Sequence, residues 1–467
     1  MSDSTKCNEV ISEESLEETI KEQNELSRNL AAMIGASLNL DEKSAKHKKK
    51  PPGKSPGKST GKSPAEPAPA RKAKPTTTPR PSAPNIDDDK DKKEFFENPE
   101  ELSCKLDTLA DWIKESKHCI VFTGAGISTS TGIPDFRSGM NTVLKTGPGK
   151  WELQAKGVAA PKGSIKKSYL KAIPSASHMA IVKLHKEGLV KFVVSQNTDG
   201  LHLRSGIKPE LLAELHGNTN LEKCSKCGTK YLRDFRTRSS KKVHDHKTGR
   251  HCDNLKCRGD LVDSIINFGE SLPEKELNKG FEEADKSDLC IVLGSSLRVT
   301  PAADIPENVI RNRQRVVICN LQKTPLNDHC ALEIHAQIDE VMVGVMKRLG
   351  LDIPAFTINR RLAVDVSDGK ISFQGLDVAR ETPYSFLRTV KVTFRQGSGD
   401  SVLLTREPFV TPLPPGVTQP FKADIILGLQ GHYNEPDIKI TEEFNGKTLY
   451  MLSYRPRDGG DWKVTRN

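Results

Sequence analysis

Four short apolar runs in the middle of the chain constrain the fold more than any other feature of the sequence. They begin at Cys119, Val190, Asp288 and Arg315, and each ends in polar or glycine-rich residues. Helical patterns lie between them, for example over residues 177–187. Continuously apolar strands that alternate with helices are typical of a parallel sheet covered on both faces. We therefore predict a doubly wound, Rossmann-like α/β fold, in which ligands bind beyond the carboxyl ends of the strands.

The composition changes before this region. Residues 43–84 hold twelve Lys/Arg, one acidic residue and ten prolines, and their net charge of +11 exceeds the +10 of the whole chain. Such a segment cannot bury enough surface to offset the entropy of ordering. We expect residues 1–93 to form a disordered tail, with a transient or partner-binding helix in its acidic part, residues 10–40. Order is expected to resume at Asn98, which starts a typical helix cap.

The pattern changes again after Pro354. Between residues 357 and 467, apolar and polar residues alternate, and Asp-Gly, Gly-Ser-Gly and Asn-Gly turns separate the alternating segments. This combination is typical of antiparallel strands. We predict a separate C-terminal all-β domain over residues 357–467, in the form of a small sandwich.

The chain has ten cysteines, and neither a signal-like start nor a run of eighteen apolar residues. We therefore expect neither secretion nor membrane contact, and a reducing compartment in which cysteines are thiols or metal ligands. Cys119, Cys290 and Cys319 lie within the apolar runs. A thiol there is expected to behave as a small core residue rather than as a nucleophile.

Four other cysteines have the spacing of a zinc site. Cys224 and Cys227 form a C-x2-C pair, and after a gap of 24 residues Cys252 and Cys257 form a C-x4-C pair. Four thiolates complete a tetrahedral shell, so the sequence predicts one structural Zn²⁺ in a module over about residues 219–265. Ligation by one of the intervening histidines and a redox role for the first pair are the weaker alternatives.

A glycine-containing turn follows the first apolar run, with the sequence Thr123-Gly124-Ala125-Gly126-Ile127-Ser128-Thr129. Two glycines let backbone N–H groups approach an anion, but a dinucleotide fingerprint expects a third glycine where Thr129 stands. The turn is therefore either a phosphate-binding loop or a tight strand-to-helix turn without a ligand.

The motifs taken in order resemble those of one family. They are GAGIST, IPDFR (133–137), SQNTDGLH (195–202), ELHGN (214–218), the cysteine pairs, NFGESLP (267–273), LGSSLRVTPA (293–302) and ICNLQKTP (318–325). This is the order found in sirtuins. HKTGRHC, NLQKTP and DEVMVGVMKRLGLDIPAF resemble class IV, the nuclear, chromatin-associated branch. The resemblance covers about residues 94–356, the expected catalytic domain.

The resemblance implies an NAD-dependent protein-lysine deacetylase or deacylase that acts on histones or other chromatin proteins in the nucleus. Its products are nicotinamide, O-acyl-ADP-ribose and free lysine. His216 matches the general base, and Asn197 is the second expected catalytic residue. The positions that match the NAD-binding set are Gly124, Ala125, Gly126, Ser128, Thr129, Ile133, Asp135, Phe136, Arg137, Trp151, Gln196, Asn197, Asp199, His216, Gly294, Ser295, Ser296, Asn320, Leu321, Gln322 and Ile338.

Two kinds of macromolecular partner are expected. The acylated substrate segment should add as a strand between residues 268–270 and 296–299. The basic tail should contact DNA or nucleosomes without reading sequence, the alternatives being a solubilising linker or an import signal. Mono-ADP-ribosyl transfer and a chromatin-binding scaffold with secondary catalysis are the alternative functions, which the sequence does not separate from deacylation.

The chain departs from the family pattern at one place. In sirtuins a glycine-proline segment directly follows the Asp-Phe-Arg loop, whereas here residues 138–146 (SGMNTVLKT) precede Gly147-Pro148-Gly149-Lys150-Trp151. This insertion lies beside the loop expected to close over the cofactor. Lid closure, acyl-chain preference and the role of Trp151 therefore depend on where the insertion packs.

Overall fold

A computed structural model describes residues 92–159, 168–240, 242–254, 256–397 and 399–467. Nearly all of the predicted tail, with its expected disorder and acidic helix, lies outside the described residues. The chain divides by its contacts into residues 1–77 and 78–467, and everything described below belongs to the second unit. No helix in the described part of the chain is both long and apolar enough to cross a membrane.

The described residues between 92 and 356 form both helices and strands. The α-helices are α1 (Pro99–Glu115), α2 (Lys150–Ala155), α3 (Ala176–Lys186), α4 (Leu201–Ser205), α5 (Glu274–Lys286), α6 (Asp304–Arg311) and α7 (Ile338–Leu349). The strands are β1 (Cys119–Thr123), β2 (Phe192–Ser195), β3 (Leu212–Glu214), β4 (Leu221–Cys224), β5 (Lys230–Arg233), β6 (Lys247–His251), β7 (Asp260–Asp263), β8 (Leu289–Leu293), β9 (Arg315–Cys319) and β10 (Leu332–Ile334). Short 3-10 helices connect some of them, the longest being Ala125–Thr131.

Six of these strands form a parallel sheet in the order β3-β2-β1-β8-β9-β10. If β4–β7 are left out and the six strands are numbered 1 to 6 along the chain, their order is 3-2-1-4-5-6. This is the strand order of the doubly wound dinucleotide-binding fold. One hydrophobic cluster packs α1, α3 and α7 against the sheet, and a second packs α5 and α6. The predicted Rossmann-like fold is confirmed, and the four apolar runs form β1, β2, β8 and β9. Cys119, Cys290 and Cys319 are fully buried in these strands.

Helix α1 begins as its sequence predicts. The Asn98 side chain accepts a 2.8 Å hydrogen bond from the Glu101 backbone N–H, and Pro99 occupies the first turn. A side-chain acceptor at this position satisfies one of the backbone donors that a helix start leaves free. Leu109 and Ile113 lie on the apolar face of the helix and are fully buried. The helix therefore packs this face against the sheet, as its amphipathic pattern predicts.

A small antiparallel module is inserted between β3 and α5. Its strands β4 to β7 are arranged in the order β5-β4-β7-β6. The carboxylate of Glu222, fully buried in this module, pairs with Arg233 at 2.7 Å and with Arg250 at 2.7 Å. The first of these arginines also reaches Ser385, which lies in the C-terminal part of the chain.

The elements described in the C-terminal part are all strands. They are β11 (Ile358–Ser367), β12 (Lys370–Leu376), β13 (Tyr384–Ser385), β14 (Leu387–Phe394), β15 (Ser401–Leu404), β16 (Phe409–Pro412), β17 (Phe421–Leu429), β18 (Ile438–Phe444), β19 (Thr448–Tyr454) and β20 (Lys463–Arg466). Two antiparallel sheets, β16-β12-β11-β19-β20 and β15-β14-β17-β18, share one apolar core. Their inward side chains alternate with exposed ones, as a sandwich requires.

Strand β13 leaves this sandwich and joins the inserted module. Tyr384 and Ser385 pair in parallel with Leu232 and Arg233 of β5, so the module sheet has five strands, one of them from the C-terminal part. The predicted boundary at residues 356/357 stays a prediction. The structure adds that backbone hydrogen bonds cross between the parts on either side of it.

Candidate functional site

The site lies where the carboxyl ends of β1 and β8 meet, the point at which the strand order reverses. The backbone N–H of Gly124 donates to Leu293 O (3.0 Å), and that of Gly126 donates to Gly294 O (2.9 Å). A Cβ on Gly126 would lie 2.6 Å from the Cα of Gly294, so only glycine permits this approach. The segment that follows is the 3-10 helix Ala125–Thr131, not an α-helix.

A cleft, partly open to solvent, extends from this point along the strand ends. Eight of its lining residues belong to the set predicted to bind NAD: Gly126, Thr129, Asp135, Gly294, Asn320, Leu321, Gln322 and Ile338. Seven others were missed from the sequence: Glu94, Ser130, Ser138, Leu144, Ala336, Gln337 and Asp339.

His216 is held in one orientation beside the same strand ends. Its Nδ1 lies 2.8 Å from the backbone oxygen of Gln196, so Nδ1 carries the proton and Nε2 is the basic atom. Burial lowers the pKa of His216, although the hydrogen bond to the Gln196 oxygen opposes this shift. The side chain of Gln196 also accepts a 2.7 Å hydrogen bond from Ser295 Oγ. The next residue in the chain, Ser296, is half-buried. The imidazole is therefore neutral near pH 7 and able to accept a proton.

Asn197 and Asp199, at the carboxyl end of β2, are buried against the glycine turn. The amide of Asn197 donates to Gly124 O at 3.0 Å. The carboxylate of Asp199 accepts from Ser128 Oγ (2.8 Å) and from the backbone N–H of Leu201 (2.9 Å). The structure therefore brings together Ser128, Asn197 and Asp199, which all belong to the set predicted to bind NAD.

Ile133 lies in a small apolar cluster nearby. It packs with Ala172 and Leu201, and Tyr169 covers the cluster. Two residues further along, the Asp135 carboxylate accepts hydrogen bonds from the backbone and the hydroxyl of Ser138, the first residue of the insertion. These contacts join the predicted lid loop to the insertion.

The other two residues of the predicted lid loop, Phe136 and Arg137, contact Trp151. None of these three residues lines the cleft. The Trp151 ring lies 5.1 Å from that of Phe136 and 5.3 Å from that of Phe268, and the Arg137 guanidinium is 4.9 Å from the Trp151 centroid. Phe268 is 59% exposed and Phe136 40% exposed. This group is an apolar surface next to the segment predicted to receive the substrate.

The insertion 138–146 packs against the segment before α1. Glu94 Oε1 accepts a 2.6 Å hydrogen bond from Thr142 Oγ1, and Oε2 accepts one of 3.0 Å from the Val143 backbone N–H. Both Glu94 and Leu144 line the cleft. The insertion therefore supplies part of the cleft wall, a role that its length and composition did not indicate.

The four predicted zinc ligands lie together in the module. The Sγ atoms of Cys224, Cys227, Cys252 and Cys257 are all within 4.8 Å of one another. The Cys224–Cys257 separation is 3.6 Å and the Cys227–Cys252 separation 3.7 Å. A Zn–S bond of about 2.3 Å in a tetrahedron requires sulfurs about 3.8 Å apart. The donor set therefore fits a four-coordinate metal with no open position.

Comparison with known proteins gives the family. A model of the Sir2 family matches residues 124–301. The NAD-dependent protein deacetylase SRT1 of Arabidopsis thaliana is 44% identical over 264 residues, 56% of this chain and 53% of the relative. SRT1 of Oryza sativa subsp. indica is 38% identical over 341 residues, covering 70% and 67% of the two chains. Sirt6 of Drosophila melanogaster is 38% identical over 274 residues, covering 56% and 81%.

The match thus spans about half the length of the Arabidopsis relative and four fifths of the Drosophila one. The match to the family model includes the glycine turn from Gly124, strand β8 and the cysteine pairs. The similarity to Sirt6 fits the class IV branch that the motifs resemble. The chain belongs to the Sir2, or sirtuin, family.

Proposed function

We propose that this protein is an NAD-dependent protein-lysine deacylase that removes acetyl or related acyl groups from histones or other chromatin proteins. The observation that carries the proposal is His216, a neutral imidazole whose Nδ1–H is fixed on Gln196 O beside the cleft. A base that is neutral near pH 7 and held in one tautomer is suited to remove a hydroxyl proton. When bound, NAD supplies an electrophilic ribose carbon and nicotinamide as the leaving group.

The residues of the cleft fit such a cofactor. At Gly124 and Gly126 the turn lies directly against the end of β8, where a Cβ would collide with Gly294 or Ser295. The loop after β9 contributes Asn320 and Gln322, which offer amide donors and acceptors for a ribose, and Ile338 offers an apolar surface for an adenine. This combination of backbone, amide and apolar groups is typical of dinucleotide sites.

The buried pair Asn197 and Asp199 would hold the nicotinamide end. Asp199 is oriented by Ser128 and Leu201, and Asn197 by Gly124, so neither side chain is free to rotate away. Preorganised polar groups of this kind orient a ligand without a reorganisation cost at the moment of reaction. In our proposal Asn197 orients the reacting groups and His216 accepts the ribose hydroxyl proton.

The protein substrate would bind beside the aromatic group of Phe136, Trp151 and Phe268. An extended segment pairing with residues 268–270 and 296–299 would place an acylated lysine next to these rings. Because backbone pairing supplies most of the affinity in this mode, we expect little dependence on the sequence around the lysine.

We further propose one Zn²⁺ per chain, held by Cys224, Cys227, Cys252 and Cys257. A closed set of four thiolates leaves no position for a reacting water, so the metal would stabilise the module and take no part in the chemistry. The basic tail and the class IV motifs support a nuclear, DNA- or nucleosome-associated protein.

The deciding experiment supplies NAD and a panel of acetylated and longer-chain acylated histone peptides to the purified full chain. We expect nicotinamide, O-acyl-ADP-ribose and deacylated peptide in equal amounts. The matched control for catalysis is His329→Ala, because His329 is exposed and does not line the cleft. Nicotinamide release with transfer of ADP-ribose to protein, and no deacylated peptide, would replace our proposal by mono-ADP-ribosyl transfer.

A further inference from the structure

Arg204, in helix α4, joins the two chain segments that enclose the proposed nicotinamide pocket. One of its terminal nitrogens, Nη2, donates to the backbone oxygens of Asp199 (2.7 Å) and Tyr169 (2.6 Å). The other, Nη1, approaches the backbone oxygens of Leu170 and Ala172, each at 3.3 Å. A single guanidinium thus ties the strand-end turn carrying Asp199 to the loop 169–172.

A residue of the C-terminal sandwich completes this arrangement. The Tyr433 hydroxyl accepts a 2.9 Å hydrogen bond from Arg204 Nη1 and donates one of 3.2 Å to Ala172 O. It lies 229 positions from Arg204 in the chain, on the loop between β17 and β18. The hydroxyl therefore orients the guanidinium and the loop at once.

The loop that carries Tyr433 is itself anchored. The Tyr433 ring packs in a cluster with Met179, Phe356 and Tyr454, which joins helix α3 to the sandwich. The neighbouring His432 contacts Asp234 O at 2.6 Å through Nε2. The position of the hydroxyl is thus fixed by contacts on both sides of it.

The contact also reaches the apolar wall of the pocket. Ala172 is fully buried against Ile133 and Leu201. A shift of the loop 169–172 would therefore move Ile133, and release of Arg204 would free the Asp199 carbonyl. Both movements would change the pocket without touching His216.

We propose that Tyr433 is a positioning residue for the NAD site, through which the C-terminal sandwich holds Arg204, Asp199 and the loop 169–172 in place. This inference rests on the proposed function, because it takes Asp199 and Ile133 as parts of the nicotinamide pocket. Its consequence is that the sandwich sets the affinity for NAD and for nicotinamide as a product inhibitor, and leaves the chemical step to His216.

The test compares Tyr433→Phe with Tyr450→Phe in the full chain. Each substitution removes one hydroxyl from the sandwich, but Tyr450 donates only to Glu442 within the sandwich (2.9 Å). For Tyr433→Phe we expect about a fivefold rise in KM for NAD and in the nicotinamide concentration that halves the rate, with kcat within about twofold, since a hydrogen bond to a charged group is being removed. Tyr450→Phe should leave all three unchanged.

Amide hydrogen exchange supplies a readout that does not need turnover. Residues 168–173 and 199–206 should exchange faster in Tyr433→Phe than in Tyr450→Phe or the unsubstituted protein. Equal KM values and equal exchange in the two variants would overturn the proposal. If the unsubstituted protein does not consume NAD, the proposed function fails, and the exchange rates alone then decide whether Tyr433 positions these segments.

Discussion

The carboxylate of Glu94 accepts a 2.6 Å hydrogen bond from the hydroxyl of Thr142. The first of these residues precedes helix α1, and the second lies in the insertion that distinguishes this chain from the sirtuin pattern. Because Glu94 also lines the cleft, the segment before α1 holds the insertion at the cleft. The insertion is therefore part of the cleft wall.

Removing this contact should weaken cofactor binding more than catalysis. We expect Thr142→Val to raise KM for NAD by about three- to tenfold, which corresponds to the net contribution of about one typical hydrogen bond. The matched control is Thr108→Val, since the Thr108 hydroxyl bonds only within α1. Steady-state kinetics with NAD as the varied substrate measures KM for both variants. Identical KM values would show that the contact between the insertion and Glu94 does not affect NAD binding.

Loss of the general base should abolish deacylation. For His216→Ala we expect kcat to fall by about 10²–10⁴-fold, the usual contribution of general acid–base catalysis. Because His216 contacts Gln196 at the cleft edge and is not a core residue, melting temperature and metal content should match those of His329→Ala. A purified His216→Ala protein with near-normal turnover would refute the assignment.

The pH dependence of activity should reflect the burial of His216. Burial lowers the pKa of this imidazole from its ordinary 6.5, and the neutral form is the active base. Activity should therefore persist as the pH falls below 6.5 and be lost only at a lower pH, where the ring becomes protonated. The profile of kcat/KM against pH tests this, and an acid limb centred at or above pH 6.5 would contradict it.

The cysteine cluster should bind one metal ion that stabilises the module. Elemental analysis of the purified protein should find one zinc per chain, and Cys224→Ser should lose it and unfold at a lower temperature. Structural zinc contributes about 10–16 kcal/mol in isolated finger peptides. Cys104→Ser is the control, since Cys104 is exposed on α1. Zinc-free protein that melts at the same temperature would end this interpretation.

The basic tail should bind nucleosomes through charge. We expect the full chain to bind more tightly than a variant that starts at Lys92, and its affinity to fall more steeply with salt, because each neutralised phosphate releases counterions. Starting at Lys92 keeps the ion pair of Lys92 with Glu152 (2.9 Å). Equal affinities and equal salt slopes would remove the tail from DNA recognition.

Much of the fold follows from local patterns in the sequence. The apolar runs from Cys119 and Asp288 each form a fully buried strand, because a continuously apolar strand must be covered on both faces. Asn98 caps α1 for an equally local reason. The cysteine pairs are brought together because their spacing fits two turns of one small sheet. These features depend on residues close in sequence.

What the sequence did not predict depends on distant contacts. Glu94 and Leu144 have no motif of their own, and their place in the cleft follows from how the insertion packs. Tyr433 reads as an ordinary loop residue, yet its hydroxyl reaches a helix 229 positions earlier in the chain. Nor did the alternation of residues in the C-terminal part indicate that one short strand would leave the sandwich.

That short strand limits how this chain can be divided. Leu232 and Asp234 donate backbone hydrogen bonds to Pro383 O and Ser385 O, each at 2.9 Å. A protein ending near residue 356 would leave β5 as an uncovered sheet edge, and such edges recruit strands from other molecules. A shortened enzyme would thus be prone to self-association, and domain shuffling during evolution could not exchange the sandwich without supplying a new cover for this edge.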